Sequence, residues 1–325
     1  MPELWDIPQG MDNAEVTARS SEATCLSITP LINGVLDVRY ALRKEVAVED
    51  FDDGSLLFLC DQLRLVELNP VARDVVAHLN DGRTIYQVAE AVASVYDQPI
   101  RVVLADVHQL VTALENQGAL ESIHTNGRPA VGRFREIKSA ADVQHLIIHA
   151  AAVTTPEGAL LLLGRSGVGK TTTCQALAGC YPTLAGDVTC LVRSGETWSV
   201  MDASPWLLQQ PEADVIAQDG APLHAVSRLF KAQRARSKPL SSREACRYLT
   251  DALFEVGWHA GADAARKRAW FATVADIARR YPGAALHLTL DAAETCRTAQ
   301  DWLACGRGAG SVEPHVVLLQ EGTKA

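Results

Sequence analysis

The chain has 325 residues, 48% of them hydrophobic, which is enough for two packed cores and too apolar for a disordered polymer. No apolar run reaches the ~20 residues a membrane helix needs, and Met1-Pro2-Glu3-Leu4-Trp5-Asp6 has neither the basic nor the apolar region of a signal peptide, so a cytoplasmic protein is expected. The formal charge is −9, from 39 acidic and 30 basic residues, and the eight cysteines are scattered without a C-x-x-C pair. That spacing reads as free or buried thiols and argues against a zinc site or a disulfide framework.

The charge is unevenly spread. Residues 1–125 carry 20 Asp and Glu against 8 Lys and Arg, and the remainder carries 19 against 22. The shift falls at Thr125-Asn126-Gly127-Arg128-Pro129, a turn or linker. The expected organisation is therefore a front domain 1–125, a linker 126–140 and a rear domain 141–325.

Residues 1–30 are polar and weakly patterned, an irregular lead-in. Residues 35–48 and 56–68 have strand-like apolar content. Asp52-Asp53-Gly54 precedes the second segment and Cys60-Asp61-Gln62 turns within it, which makes 55–59 and 63–68 a hairpin. Asn69 caps a helix with Pro70 in its first turn, running to Leu79 and ended by Asn80-Asp81-Gly82; His78 on it reads as a solvated or core-edge histidine. A second helix spans 84–96, with Ile85, Val88, Ala89 and Val92 at helical spacing. A third spans about 100–117, with Val103, Val107, Leu110, Val111 and Leu114 on one face and Gly118 as its stop.

Strands followed by three short helices form a winged-helix-like α+β module. The order Asp53-Gly54, hairpin, Leu68-Asn69-Pro70, Leu79-Asn80-Asp81-Gly82-Arg83-Thr84, Tyr96-Asp97, Gly118-Ala119-Leu120 resembles the PqqD family over residues 30–122. The resemblance implies binding of the leader segment of a ribosomally made precursor peptide. The peptide would add as a strand at the hairpin edge near the third helix, contacting Leu63, Arg64, Leu65, Val66, Glu67 and Leu68, with main-chain hydrogen bonds supplying affinity. The other use of a winged helix is DNA binding, which the acidic balance of the front half opposes.

The rear half opens with a short helix near Ile137-Lys138-Ser139 and a buried strand at 146–153. A turn at 154–158 makes the next strand its antiparallel partner. That strand runs into Gly164-Arg165-Ser166-Gly167-Val168-Gly169-Lys170-Thr171, which is G-x-x-x-x-G-K-[ST] with a strand before it and a helix, Lys170 to Ala178, after it. Glycines let backbone N–H groups close round phosphate oxygens, and the helix N-terminus adds partial positive charge. Gly164 through Thr172 are the expected nucleotide-binding residues, with Lys170 reaching the β- and γ-phosphates and the Thr171 hydroxyl on Mg²⁺.

Beyond Gly186-Asp187, residues 189–193 and 197–201 flank Ser194-Gly195-Glu196 as a hairpin, and 226–231 is a strand. The basic stretch Lys231 to Lys238 reads as a solvated loop, with steering of phosphate or an acidic peptide as the functional alternative. Ser241-Ser242-Arg243-Glu244 carries a capping box for a helix to about Phe254. Helices at 262–280 and 292–303 enclose a strand at 286–290.

His149, the glycine-rich loop and Asp187, in that order, resemble the HPr kinase/phosphorylase superfamily, specifically its divergent members. Leu223–Leu229 and Lys238–Ala245 extend the resemblance, which covers residues 135–310. It implies an α/β P-loop kinase core of the phosphoenolpyruvate-carboxykinase-like type, a mixed sheet with helices, that uses ATP and Mg²⁺ to phosphorylate a hydroxyl, typically serine. Carried over by position, Lys170 and the loop amides hold the phosphates, and Thr171 and Asp187 contact Mg²⁺. Asp187 lies at the family's paired-aspartate position, as base, metal contact or both, and His149 matches a histidine near that pair. These two are the catalytic candidates with Lys170, while a turn residue and a satisfied core histidine are the other readings of Asp187 and His149. One departure matters, because the family has two adjacent aspartates where this chain has Gly186-Asp187. Asp202 and Asp291 are further candidates for the metal carboxylate. No counterpart exists of the glycine-and-arginine loop used toward HPr, so HPr is not the expected substrate.

Together the halves imply a kinase that phosphorylates a precursor peptide captured by its front module. The alternative is a non-catalytic nucleotide-binding adaptor that delivers the peptide to other tailoring enzymes. Neither a nucleic-acid nor a membrane partner is expected.

Overall fold

The computed structural model describes residues 38–123, 143–203, 220–255, 259, 261–289 and 291–306. The lead-in at 1–30, the charge break at Thr125, the linker 126–140 and the short helix at Ile137 lie outside the described residues. Contacts divide the chain into two compact units, 1–143 with 257–277, and 144–256 with 278–325. A single break between front and rear was expected; instead the segment 257–277 groups with the front unit.

In the front unit, β1 (Arg39–Leu42) pairs antiparallel with β5 (Leu120–Ile123). β2 (Val46–Phe51), β3 (Gly54–Leu59) and β4 (Arg64–Leu68) form an antiparallel meander in the order β2-β3-β4. Three helices follow, α1 (Pro70–Asn80), α2 (Ile85–Tyr96) and α3 (Ile100–Asn116). The first two starts are written locally. Asn69 accepts the Ala72 amide at 2.8 Å, and Thr84 with Gln87 forms a reciprocal capping box. Leu57, Leu59 and Leu68 of the meander share a core with Val75, Leu79, Val88, Val107 and Leu114.

The rear unit is a mixed sheet of eight strands. β6 (His145–Thr155) and β7 (Gly158–Leu163) are antiparallel, and β7 leads into α4 (Lys170–Leu177). β8 (Thr183–Ala185), β9 (Val188–Ser194) and β10 (Thr197–Asp202) extend one side. β11 (Ala221–Lys231) lies parallel to β7, and β12 (Arg236–Leu240) precedes helices α5 (Ser242–Glu255) and α6 (Ala264–Arg280). β13 (Gly283–Leu288) is parallel to β11 and antiparallel to β12, and α7 (Ala292–Gly306) closes the described chain. The main strand order is β10-β9-β6-β7-β11-β13-β12, with β8 on β6. Leu160, Leu162, Leu229 and Leu286 pack with Cys174 and Leu177 of α4 and with Ala299 and Trp302 of α7.

Every residue of β3 is buried, the pattern of a strand covered on both faces. Leu57 and Leu59 face the three-helix core, while Phe58 on the other face meets Phe271 of α6 with ring centroids 5.2 Å apart. Lys267 of α6 donates to the Cys60 carbonyl at 3.1 Å and Arg268 donates to the Lys44 carbonyl at 2.8 Å. Burying one phenylalanine side chain contributes about 1.5–3 kcal/mol, so α6 up to Ile277 is part of the front unit.

The thiols need a correction. Cys180, just after α4, and Cys296 of α7 form a disulfide across 116 residues of sequence. Scattered spacing does not show which helix ends will meet. Cys60, Cys174, Cys190 and Cys246 are buried and outside any disulfide. No helix among the described residues is long and apolar enough to cross a membrane.

Candidate functional site

The site sits where the strand β7 ends. Gly167 and Gly169 have φ of +75° and +109°, left-handed values that side chains rarely adopt. They turn the chain so that α4 begins at Lys170. Lys170 is 4% exposed, and its Nζ donates to the Gly164 carbonyl at 2.9 Å, which folds the side chain back into the loop. Burial pushes its pKa down from 10.5; Asp187 and Glu255 oppose that shift and Arg228 adds to it. The Thr171 and Thr172 side chains are exposed, whereas Thr173 bonds back to the Gly169 carbonyl at 2.9 Å.

His149 reaches the site through sheet register. It pairs with Val188 across β6 and β9, so Asp187 is one residue from its cross-strand partner. The His149 Nε2 lies 3.0 Å from Asp187 Oδ1 and 2.9 Å from Lys170 Nζ, and Lys170 Nζ lies 4.0 Å from the same Asp187 oxygen. One ring nitrogen cannot donate to the carboxylate and accept from the ammonium at once. Nε2 can therefore bond to only one of the two in a given tautomer.

Glu255, at the end of α5, completes the cluster and was missed by sequence reasoning. Its Oε2 lies 3.1 Å from His149 Nδ1, and its Oε1 accepts the Ser166 amide at 3.1 Å. No motif marks it, since it lies 89 residues from Ser166, and the sequence predicts the helix only to about Phe254. Asp291 accepts the Glu294 amide at 2.9 Å as the cap of α7, and Asp202 ends β10 opposite Thr189.

No group of three or more His, Cys, Asp or Glu among the described residues could enclose a metal. Asp187, with a side chain 68% exposed, and the exposed Thr171 hydroxyl fit Mg²⁺ instead, an ion that takes one or two protein oxygens and completes its shell with phosphates and water.

Of the expected peptide-binding residues, Arg64 to Leu68 form β4, whose second edge has no partner among the described strands. Leu63 is not in the strand. It occupies the β3–β4 turn with φ of +52°.

Residues 57–120 match the family model of coenzyme PQQ synthesis protein D (PqqD), and residues 134–293 match that of the SynChlorMet cassette protein ScmC. No curated protein matches the chain. Among solved structures, TbiB1 in complex with the TbiA(beta) leader peptide is 21% identical, with a TM-score of 0.24, over 25% of this chain and 94% of that one. Lasso peptide synthetase B1 complexed with the leader peptide is 29% identical, with a TM-score of 0.25, over 26% of this chain and 98% of that one. The Hpr(Ser) kinase/phosphatase from Coxiella burnetii is 10% identical, with a TM-score of 0.25, over 50% of this chain and 99% of that one. The chain is thus similar to PqqD at 57–120 and to ScmC at 134–293.

Proposed function

We propose that the protein is an ATP-dependent kinase that phosphorylates a hydroxyl, a serine's, on a ribosomally made precursor peptide whose leader is held by the front unit. The observation that carries this reading is the buried Lys170 ammonium, turned back into a glycine-rich loop and within 4.0 Å of Asp187 with His149 between them. A cation at the loop, a carboxylate beside it and a proton-carrying ring are the parts a phosphoryl transfer needs.

In this reading Lys170 and the amides of 165–171 hold the phosphates, and Thr171 with Asp187 would hold Mg²⁺, which would supply positive charge against the γ-phosphate oxygens. The acceptor oxygen bonds to the γ-phosphorus as the bond to the β,γ-bridging oxygen breaks. ADP leaves, and the hydroxyl proton passes to Asp187 with His149 able to receive it. The leader pairs along the open edge of β4. Capture raises the local concentration of the attached hydroxyl, to the mM range for a short flexible spacer.

The adaptor reading is favoured by one observation, the absence of a second carboxylate beside Asp187. Incubation with ATP, Mg²⁺ and a precursor peptide encoded beside the protein, followed by mass spectrometry, separates the two. Addition of a phosphoryl group supports the kinase; tight nucleotide and leader binding without product leaves the adaptor.

A further inference from the structure

The basic stretch Lys231 to Lys238, expected as a solvated loop, is folded into the sheet. β12 is an end strand, paired only with β13 among the described strands, and its residues 236–239 are all exposed. Its register places Arg236 against His287 and Lys238 against Ala285, which in turn stand against Phe230 and Arg228 of β11. Leu229 and Leu286 belong to the core shared with α4 and α7. Their alternates Arg228, Phe230, Ala285 and His287 therefore lie on the opposite face, together with Arg236 and Lys238.

Contacts run along this face from the edge to the loop. Phe230 stacks on His287 at 5.0 Å and meets Tyr248 edge-on at 6.2 Å. The Arg228 guanidinium lies 4.9 Å over the Tyr248 ring, and its Nε is buried without a hydrogen-bond partner. Arg228 also stands against Leu163, the residue before Gly164. Burial lowers the pKa of Arg228, and the neighbouring Arg165 lowers it further against Asp251 and Glu255. At the other end burial lowers the pKa of His287, and Arg236 and Lys238 add to that.

Asp251 and Glu255 partly balance the loop end. Arg236 and Lys238 make no ion pair with a described residue. On a chain of net charge −9, the two uncompensated cations Arg236 and Lys238 at the sheet edge mark a surface suited to an anionic partner. Pro239 within β12 removes a backbone donor from the edge, which blunts strand addition. Recognition must therefore come from side chains.

We infer that Arg236 and Lys238, with Arg228 toward the loop, dock an acidic segment of the acceptor peptide and so select hydroxyls that have carboxylates nearby. The identity of the docked chain as the acceptor rests on the kinase reading above. β12 is three strand spacings from β7, about 14 Å, which an extended peptide spans in roughly four residues. The preferred acceptor carries Asp or Glu about four residues from the modified hydroxyl. A nucleic acid fits less well, because a dense polyanion must also approach a net-acidic protein.

The test uses the full chain and two fluorescein-labelled synthetic peptides, one with a glutamate cluster about four residues from a single serine and one with glutamines instead. Anisotropy should show preference for the glutamate peptide. Arg236→Glu with Lys238→Glu should weaken that peptide about tenfold and leave the glutamine peptide unchanged. The same pair should raise KM for phosphate transfer with kcat unaltered. Should the charge reversal disturb folding, Arg236→Gln with Lys238→Gln gives the same readout, and on the unaltered protein added salt must erase the glutamate preference. Equal binding of the two peptides overturns the inference, as does tighter binding of a single-stranded oligonucleotide of equal charge. Charge-dependent binding without transfer removes the kinase reading and keeps the docking face, whereas transfer indifferent to peptide charge keeps the kinase and removes the docking face.

Discussion

Glu255 holds His149 and the glycine-rich loop with one carboxylate, Oε2 at 3.1 Å from Nδ1 of His149 and Oε1 at 3.1 Å from the Ser166 amide. An anionic phosphate arriving at that amide meets a carboxylate already there. Glu255→Gln should therefore tighten ATP binding about fivefold by removing repulsion between anions. It should also lower transfer about tenfold or more, because His149 loses its charged partner. Calorimetry and single-turnover kinetics read the two effects separately, and a variant unchanged in both would exclude Glu255 from the site.

Lys170→Ala should weaken ATP binding about tenfold to a hundredfold, the range for a lost hydrogen bond to a charged group. Unchanged affinity by calorimetry would remove the loop from nucleotide binding. Burial holds the Lys170 pKa below 10.5, so the folded state disfavours its protonated form at neutral pH. That cost fades as pH rises toward 10.5, because the unfolded chain then holds more of the proton than the folded one. Stability measured by chemical unfolding should rise over that window in the unaltered protein relative to Lys170→Met.

Asp187→Asn should leave folding intact, since the side chain is 68% exposed, and should cut phosphorylated product about a hundredfold. Equal product from the variant would take Asp187 out of the reaction and leave Asp202 as the remaining aspartate candidate, Asp291 being committed to the α7 cap.

Gly186→Asp rebuilds a pair of aspartates. A Cβ added at Gly186 meets nothing within 4 Å, so the variant should fold normally. Transfer should rise about tenfold if the missing carboxylate limits proton removal. An unaltered rate in a folded variant would show that Asp187, His149 and Glu255 already suffice.

Phe271→Ala should destabilise the front unit by about 3–5 kcal/mol, because the ring is fully buried against Phe58. Leader binding should weaken with it. For the same reason a chain cut in the linker at 126–140 should unfold more easily than the full chain, since α6 residues up to Ile277 belong to the front unit. Urea unfolding followed by tryptophan fluorescence checks both; equal midpoints would mean that α6 is dispensable to that core.

Features encoded within a few neighbouring residues are legible in the amino-acid sequence itself. The strand, glycine-rich turn and helix at 158–177 appear where the motif places them, because positive-φ glycines and an apolar run act locally. The caps at Asn69, Thr84 and Ser241 likewise bond to amides three residues on. His149 and Asp187 are recognisable as types, but the pairing of His149 with Val188 is what joins them, and strand register depends on the whole sheet. Glu255, the Cys180–Cys296 bond, the packing of Phe271 on Phe58 and the cationic row at β12 connect residues far apart in the chain. Periodicity marks such residues as buried, charged or edge-facing. Which partner each one finds is settled by the packing of helices and strands against one another, an energy that no short window of sequence contains.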